Sequence, residues 1–309
     1  MNLFRKLFRL VTVLVLSLAL TAAFSACGGA ASSGGGASSS SGGKTASAAG
    51  SELTVRMLDI GQGDAFLLEK DGKFVMIDTG DIEHREQTVS LLRKYGVKEI
   101  EKVIITHPHA DHLGGMAGIM KNFKVDAVYD DGMPANTGSY KNYLKQIKEK
   151  KISYHVLKAG EDLEFFDGVR FHVLGPVKVI KDQKGNSDFN NNSIVGRLTY
   201  GNFSMMFTGD AEKEEEKTIL DQGGTLKSDV LKTGHHGSRT STSPAFLKAV
   251  SPKAALISCG QGNDYGHPHK TTLDKLEKAK VQIYRTDRNG TVTLTTSGST
   301  YQIRKERES

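Results

Sequence analysis

Short runs of β-branched and aromatic residues, alternating with polar ones and broken by glycine turns, recur from residue 53 to residue 304. Residues 53–59, 65–69 and 74–78 predict three strands, the last two joined at Asp71-Gly72. Residues 86–95 carry apolar positions at helical spacing and stop at Gly96, a helix C-terminal signal. A strand over 103–106, a short helix to Lys121, a strand over 125–129 and a helix over 140–150 follow. Residues 163–166 and 169–174 predict a hairpin about Asp167-Gly168.

The second half echoes this order. Strands over 193–200 and 203–208 meet at Gly201-Asn202. Helices over 212–220, 244–250 and 272–278 then alternate with strands over 229–233 and 254–258. Strands over 281–284, 291–295 and 300–303 close the chain. Strands followed by helices in both halves predict a layered α/β architecture, with helices outside mixed sheets.

The N-terminus breaks this pattern. Arg5, Lys6 and Arg9 precede an apolar run over 10–23, too short to favour a permanent span. Small residues then lead into Cys27, so residues 1–26 resemble a lipoprotein signal peptide and Cys27 the lipidated residue. Residues 27–52 are mostly Gly, Ser, Ala and Thr and cannot bury a core, which predicts a flexible linker. The folded domain is expected over 53–309, outside the cytoplasmic membrane and anchored to it by lipid. Without the three basic residues of the signal segment, the formal charge of +6 falls to +3. That charge gives little support for a polyanionic partner, and the lysines between Lys141 and Lys158 read as a solvated helix face. Cys259 ends an apolar run and reads as a buried structural thiol.

The candidate chemistry gathers at predicted strand ends. Thr106-His107-Pro108-His109-Ala110-Asp111-His112 crowds three imidazoles and a carboxylate behind a buried strand. Such donors suit Zn²⁺ or a similar divalent ion, and the spacing allows two: His107 and His109 for one, Asp111 and His112 for the other. Asp78 ends another strand and is expected to orient the histidine loop by hydrogen bonds. Asp210 ends a third and is expected to bridge the two ions, with N-capping of the next helix as its competing role. After a fourth strand stand His235 and His236: one is read as a ligand of the second ion and the other as facing the substrate as an acid or donor, with His235 favoured as the ligand. Gln62 and Asp64, in a turn with Gly61 and Gly63, are candidates for facing the metals or the leaving group, or form a plain turn. His267, in Gly266-His267-Pro268-His269, is a candidate phosphate contact.

Together these segments resemble the metallo-β-lactamase superfamily, over essentially all of residues 53–304. "LDIGQGDAFLL", "THPHADHLGG", "NNSIVGRL", "FTGD", "LKTGHHGS" and "YGHPH" are similar to the hydrolase domain of ComEC-type competence DNA-uptake proteins. The resemblance implies a four-layer αββα sandwich with two divalent ions at one edge. It implies phosphodiester hydrolysis by a two-metal-bridged hydroxide, with Asp111, Asp210 and His236 as catalytic residues. Where many superfamily members have a third histidine for the first ion, this chain has Asn192-Ser193, taken as substrate-side residues; His155 and His172 read as core or sheet-face positions. Fewer nitrogen ligands leave Mn²⁺ open beside Zn²⁺.

The reading is therefore an extracytoplasmic metal-dependent hydrolase acting on a phosphodiester, DNA first, with no protein partner expected. Hydrolysis of a lactone, a β-lactam or a cell-wall choline-phosphate ester, or binding at the surface without catalysis, are the alternatives.

Overall fold

Alternate side chains of one strand feed two different apolar layers. In the strand Lys73–Thr79, Val75 and Ile77 point into the layer between two sheets, and Phe74 and Met76 into the layer beneath the helices. The computed structural model describes residues 51–308. The expected signal peptide, Cys27 and nearly all of the linker lie outside the described residues.

The first sheet begins with β1 (Leu53–Met57), β2 (Ala65–Lys70), β3 (Lys73–Thr79), β4 (Glu99–Ile104), β5 (Lys124–Asp130) and β6 (Ser153–Val156). The second holds β7 (Asp162–Phe166), β8 (Val169–Gly175), β9 (Val195–Tyr200), β10 (Phe203–Phe207), β11 (Val230–Lys232), β12 (Ala254–Ile257) and β13 (Gln282–Arg285). The chain then returns to the first sheet as β14 (Val292–Thr296) and β15 (Tyr301–Lys305). The orders are β15-β14-β1-β2-β3-β4-β5-β6 and β13-β12-β11-β10-β9-β8-β7. Each sheet is antiparallel in one half and parallel in the other, from β3 to β6 and from β10 to β13.

Three apolar layers hold the sandwich. Phe66, Leu68, Phe171, Phe207 and their neighbours fill the space between the sheets. Leu92, Ile119 and Tyr143 bring the helices Arg85–Lys94, Met116–Asn122 and Gly138–Lys150 onto the first sheet. Ile219, Phe246 and Leu276 do the same for Lys213–Gln222, Pro244–Val250 and Lys270–Lys278 on the second. Each fully buried side chain of this size contributes about 1.5–3 kcal/mol. The expected αββα layering is what the chain adopts. The lysines of Gly138–Lys150 face solvent, opposite buried Tyr140, Tyr143 and Ile147.

Two boundaries differ from the sequence reading for a reason that bears on the site. The strand expected over 103–106 runs from Glu99 to Ile104. It stops early because the Thr106 backbone turns out of the ladder toward Asp78. The strand expected from Ser193 starts at Val195, because Asn190–Asn192 is a short 3₁₀ turn.

Candidate metal centre

The carboxyl ends of β3, β4, β10, β11 and β12 carry the chemistry, as parallel strands commonly do. Asp78 leaves β3 in a left-handed conformation, φ 56°. Its Oδ1 accepts the Thr106 N–H at 2.8 Å, and its Oδ2 accepts the Thr106 hydroxyl at 2.8 Å. The same Oδ2 lies 2.8 Å from His112 Nδ1, so His112 is held with Nε2 pointing away from Asp78. Gly63 lets the 61–64 turn press on the histidine loop: a Cβ there would stand 2.4 Å from the Asp111 carbonyl, which accepts the Asp64 N–H at 3.1 Å. Gly63 thus brings this backbone onto the Asp111 loop.

Four donors converge on one point. Asp111, His112, Asp210 and His236 each offer an atom within 4.8 Å of the others. His112 Nε2 is 3.3 Å from Asp210 Oδ1 and 3.7 Å from Asp111 Oδ2. His236 Nε2 is 3.1 Å from Asp111 Oδ2 and 3.6 Å from Asp210 Oδ1. Ligands about 2 Å from a tetrahedral ion stand roughly 3.4 Å apart, so these separations fit one. His112 Nε2 and Asp210 Oδ1 are buried without a hydrogen-bond partner, a costly state that a cation would relieve. The donor set therefore fits a divalent ion.

The other oxygen of Asp210 faces a different set of nitrogens. Oδ2 is 3.9 Å from His107 Nε2 and 3.6 Å from His235 Nε2, and His107 Nε2 is 3.0 Å from His109 Nδ1. Here the sequence reading needs correction. Of the two adjacent histidines it favoured His235 as the partner of Asp111 and His112; the geometry puts His236 in that group and turns His235 toward the His107 side. Both residues have left-handed backbones, φ 49° and 52°, which send adjacent rings to opposite oxygens of Asp210. Glu212 and Thr240 fix His235: Glu212 Oε1 is 3.0 Å from its Nδ1 and accepts the Thr240 hydroxyl at 2.7 Å.

Three expected substrate contacts are structural. Asp64 is buried, paired with buried Lys232 at 2.7 Å, and takes a hydrogen bond from the Ser258 hydroxyl. Its Oδ1 is also 3.3 Å from His236 Nδ1, which lies 3.0 Å from the Ser258 carbonyl. Asn192 is buried and donates to the carbonyls of Ile180 and Asp188. The buried Ser193 hydroxyl accepts the Asp210 N–H at 3.1 Å and lies 3.4 Å from His107 Nδ1. Gln62 and His267 do line the cleft, a space of about 330 Å³ beside His109, Asp111, Asp210 and the two adjacent histidines. Asn190 and Tyr265 also line it, and sequence reading missed both. His155 and His172 stay on sheet strands, His172 beside Asp162. Cys259 is buried, as expected, and burial pushes its thiol up to about 12.

Charge divides the two groups. Burial works against a proton on His112, but Asp210, Asp78 and Asp111 outweigh it and hold its pKa well above the usual range. Burial likewise opposes a proton on His236, and Asp210 and Asp64 overcome it, raising the pKa to about 10. Burial pushes His107 and His109 down, helped by neighbouring histidines. Without metal these surroundings favour the protonated form of His112 and His236 and the neutral form of His107 and His109, which share a hydrogen bond across the 3.0 Å His107 Nε2–His109 Nδ1 contact. An ion entering the Asp111 group must displace protons, so its apparent affinity should rise with pH up to the histidine pKa values. Titration calorimetry in buffers of different ionisation enthalpy should show proton release; heats independent of buffer would contradict it.

A two-sheet sandwich carrying these carboxylates and imidazoles at one edge defines a metal-dependent hydrolase. The family model of the metallo-beta-lactamase superfamily matches residues 58–261, and the chain belongs to that superfamily. ComE operon protein 3 of Bacillus subtilis (strain 168) is 33% identical over 261 residues, which cover 78% of this chain and 33% of that protein. Competence protein ComA of Neisseria gonorrhoeae is 31% identical over 242 residues, 78% of this chain and 32% of that protein. The chain thus spans about a third of the length of these relatives. The metallo-beta-lactamase fold protein YhfI of Bacillus subtilis shares the fold, with a TM-score of 0.53 at 12% identity, covering 80% of this chain and 100% of that one.

Proposed function

We propose that the chain is an extracytoplasmic phosphodiesterase that cuts DNA, single-stranded or partly degraded, using two divalent ions, Zn²⁺ or Mn²⁺. The observation that carries this reading is Asp210, whose two oxygens face separate sets of nitrogen donors. His107, His109, His235 and Asp210 Oδ2 would hold one ion; Asp111, His112, His236 and Asp210 Oδ1 the other. Such a pair supplies Lewis acidity and an activated water at neutral pH, and it clamps both oxygens of a displacement. The protein's own part is placement. Asp78, Asp64 and Glu212 each brace one imidazole. The Gln62 amide is set by the Gly260 N–H, which donates to its oxygen at 3.1 Å, and it stands with Asn190 and His267 on the cleft wall.

Likeness to competence proteins favours DNA over a lactone or a choline-phosphate ester. The N-terminal pattern favours attachment at Cys27 to the outer face of the membrane. No helix among the described residues is long and apolar enough to cross a membrane.

The test uses the whole chain with Mn²⁺ and end-labelled single-stranded DNA, beside Asp111→Ala. The parent should cleave, and the variant should lose at least about a hundredfold, the scale of removing one charge-stabilising group from a catalytic centre. Equal cleavage by both would sink the assignment. Fatty-acid labelling in cells, lost in Cys27→Ala, checks the anchor.

A further inference from the structure

Tyr265 is an exposed aromatic ring at the mouth of the cleft. It is 67% exposed, more than any other large hydrophobic residue described. A single exposed ring is ordinary on a protein surface. Its position makes a partner definable. The ring lies against His267 with centroids 5.6 Å apart and planes 18° apart, and His267 lies over His236 at 6.0 Å and 29°. A column of near-parallel rings therefore runs from solvent to a donor of the candidate metal centre.

The loop beneath is fixed. Asn263 donates through its side-chain amide to the carbonyls of Gly260 and His267, and its Oδ1 accepts the His267 N–H at 2.9 Å. The backbone that carries the ring therefore needs little ordering when a ligand arrives.

We propose that Tyr265 is a stacking platform for a nucleobase of the strand whose phosphodiester lies at the metal centre. This rests on the phosphodiesterase reading and narrows it: the site recognises a base-bearing strand and not only the phosphate. One open face, backed by a parallel ring, suits a flat partner. A quaternary ammonium such as choline is held best by several aromatic faces. Tyr265 is the only Phe, Tyr or Trp among the described residues that line this cleft. Base–aromatic stacking is indifferent to base identity, so the platform would bind without sequence preference.

The chain has no tryptophan, so Tyr265→Trp would place a single indole at this position. The whole chain with Mn²⁺ is titrated with single-stranded oligothymidylate, with an oligomer of equal length built from abasic residues, and with phosphocholine. The base-bearing oligomer should quench the indole saturably and the other two should not. In cleavage assays the preference for base-bearing over abasic strand should fall about tenfold in Tyr265→Ala, through KM and not kcat, and survive in Tyr265→Phe. Equal quenching by both oligomers, or an undiminished preference in Tyr265→Ala, would overturn the proposal. Quenching by phosphocholine alone would overturn it in favour of a cation site. Base-specific quenching without cleavage of any strand would support the platform and leave the phosphodiesterase reading to fail by itself.

Discussion

Asp210→Asn is expected to lower DNA cleavage by about a thousandfold or more and to leave the protein with at most one bound ion. The argument is geometric. Oδ1 faces His112 and His236, and Oδ2 faces His107 and His235. An amide can offer its oxygen to only one side. The other side then meets an NH₂ group, which cannot ligate and repels a cation. Either flip forfeits the charge that opposes two ions in a buried site. The loss of a single group that stabilises charge in a catalytic centre is worth about 10²–10³ in rate. Asp210 would serve two ions at once, which puts the expectation at or above the top of that range. Metal content after dialysis, measured by plasma mass spectrometry, reads the first effect and cleavage the second. Two ions retained by a folded Asp210→Asn protein would show that this carboxylate does not bridge.

The layers and most of the site were legible in the sequence because both follow local rules. Alternation within β3 assigned its faces, and strand ends carrying Asp78, His107 and Asp210 marked the edge where donors gather. The roles of His235 and His236 were not legible. Adjacent residues on a regular strand point to opposite faces, but these two follow the end of β11 with left-handed backbones, which no residue pattern announces. Asp64, Asn192 and Ser193 were misread for a related reason. Polar residues near a metal motif look like substrate contacts until burial is known, and all three are buried. Lys232 offered a usable signal: a lysine within the apolar run Val230-Leu231, followed by Thr233, needs an internal anion.

That pairing gives the largest expected effect on stability. Asp64→Ala should destabilise the metal-free protein by about 3–5 kcal/mol, because it strands the Lys232 ammonium in the interior. Lys232 and Asp64 are 1% and 2% exposed, and their contact is 2.7 Å. Among the described residues the only other partner of the ammonium is the Thr233 carbonyl, at 2.8 Å. Lys232→Met should cost less, because Asp64 keeps the Ser258 hydroxyl and the nearby His236. Asp64→Ala combined with Lys232→Met should recover much of the loss, since neither charge is then left unpaired. Urea unfolding of the four proteins, stripped of metal, measures the cycle. In a domain of this size the single variant should melt about 6–20 °C lower. A contact with substrate, as the sequence first suggested for Asp64, would instead raise KM and leave unfolding unchanged. A cost below about 1 kcal/mol for Asp64→Ala, or no recovery in the double variant, would mean that the pair does not hold this edge of the sandwich.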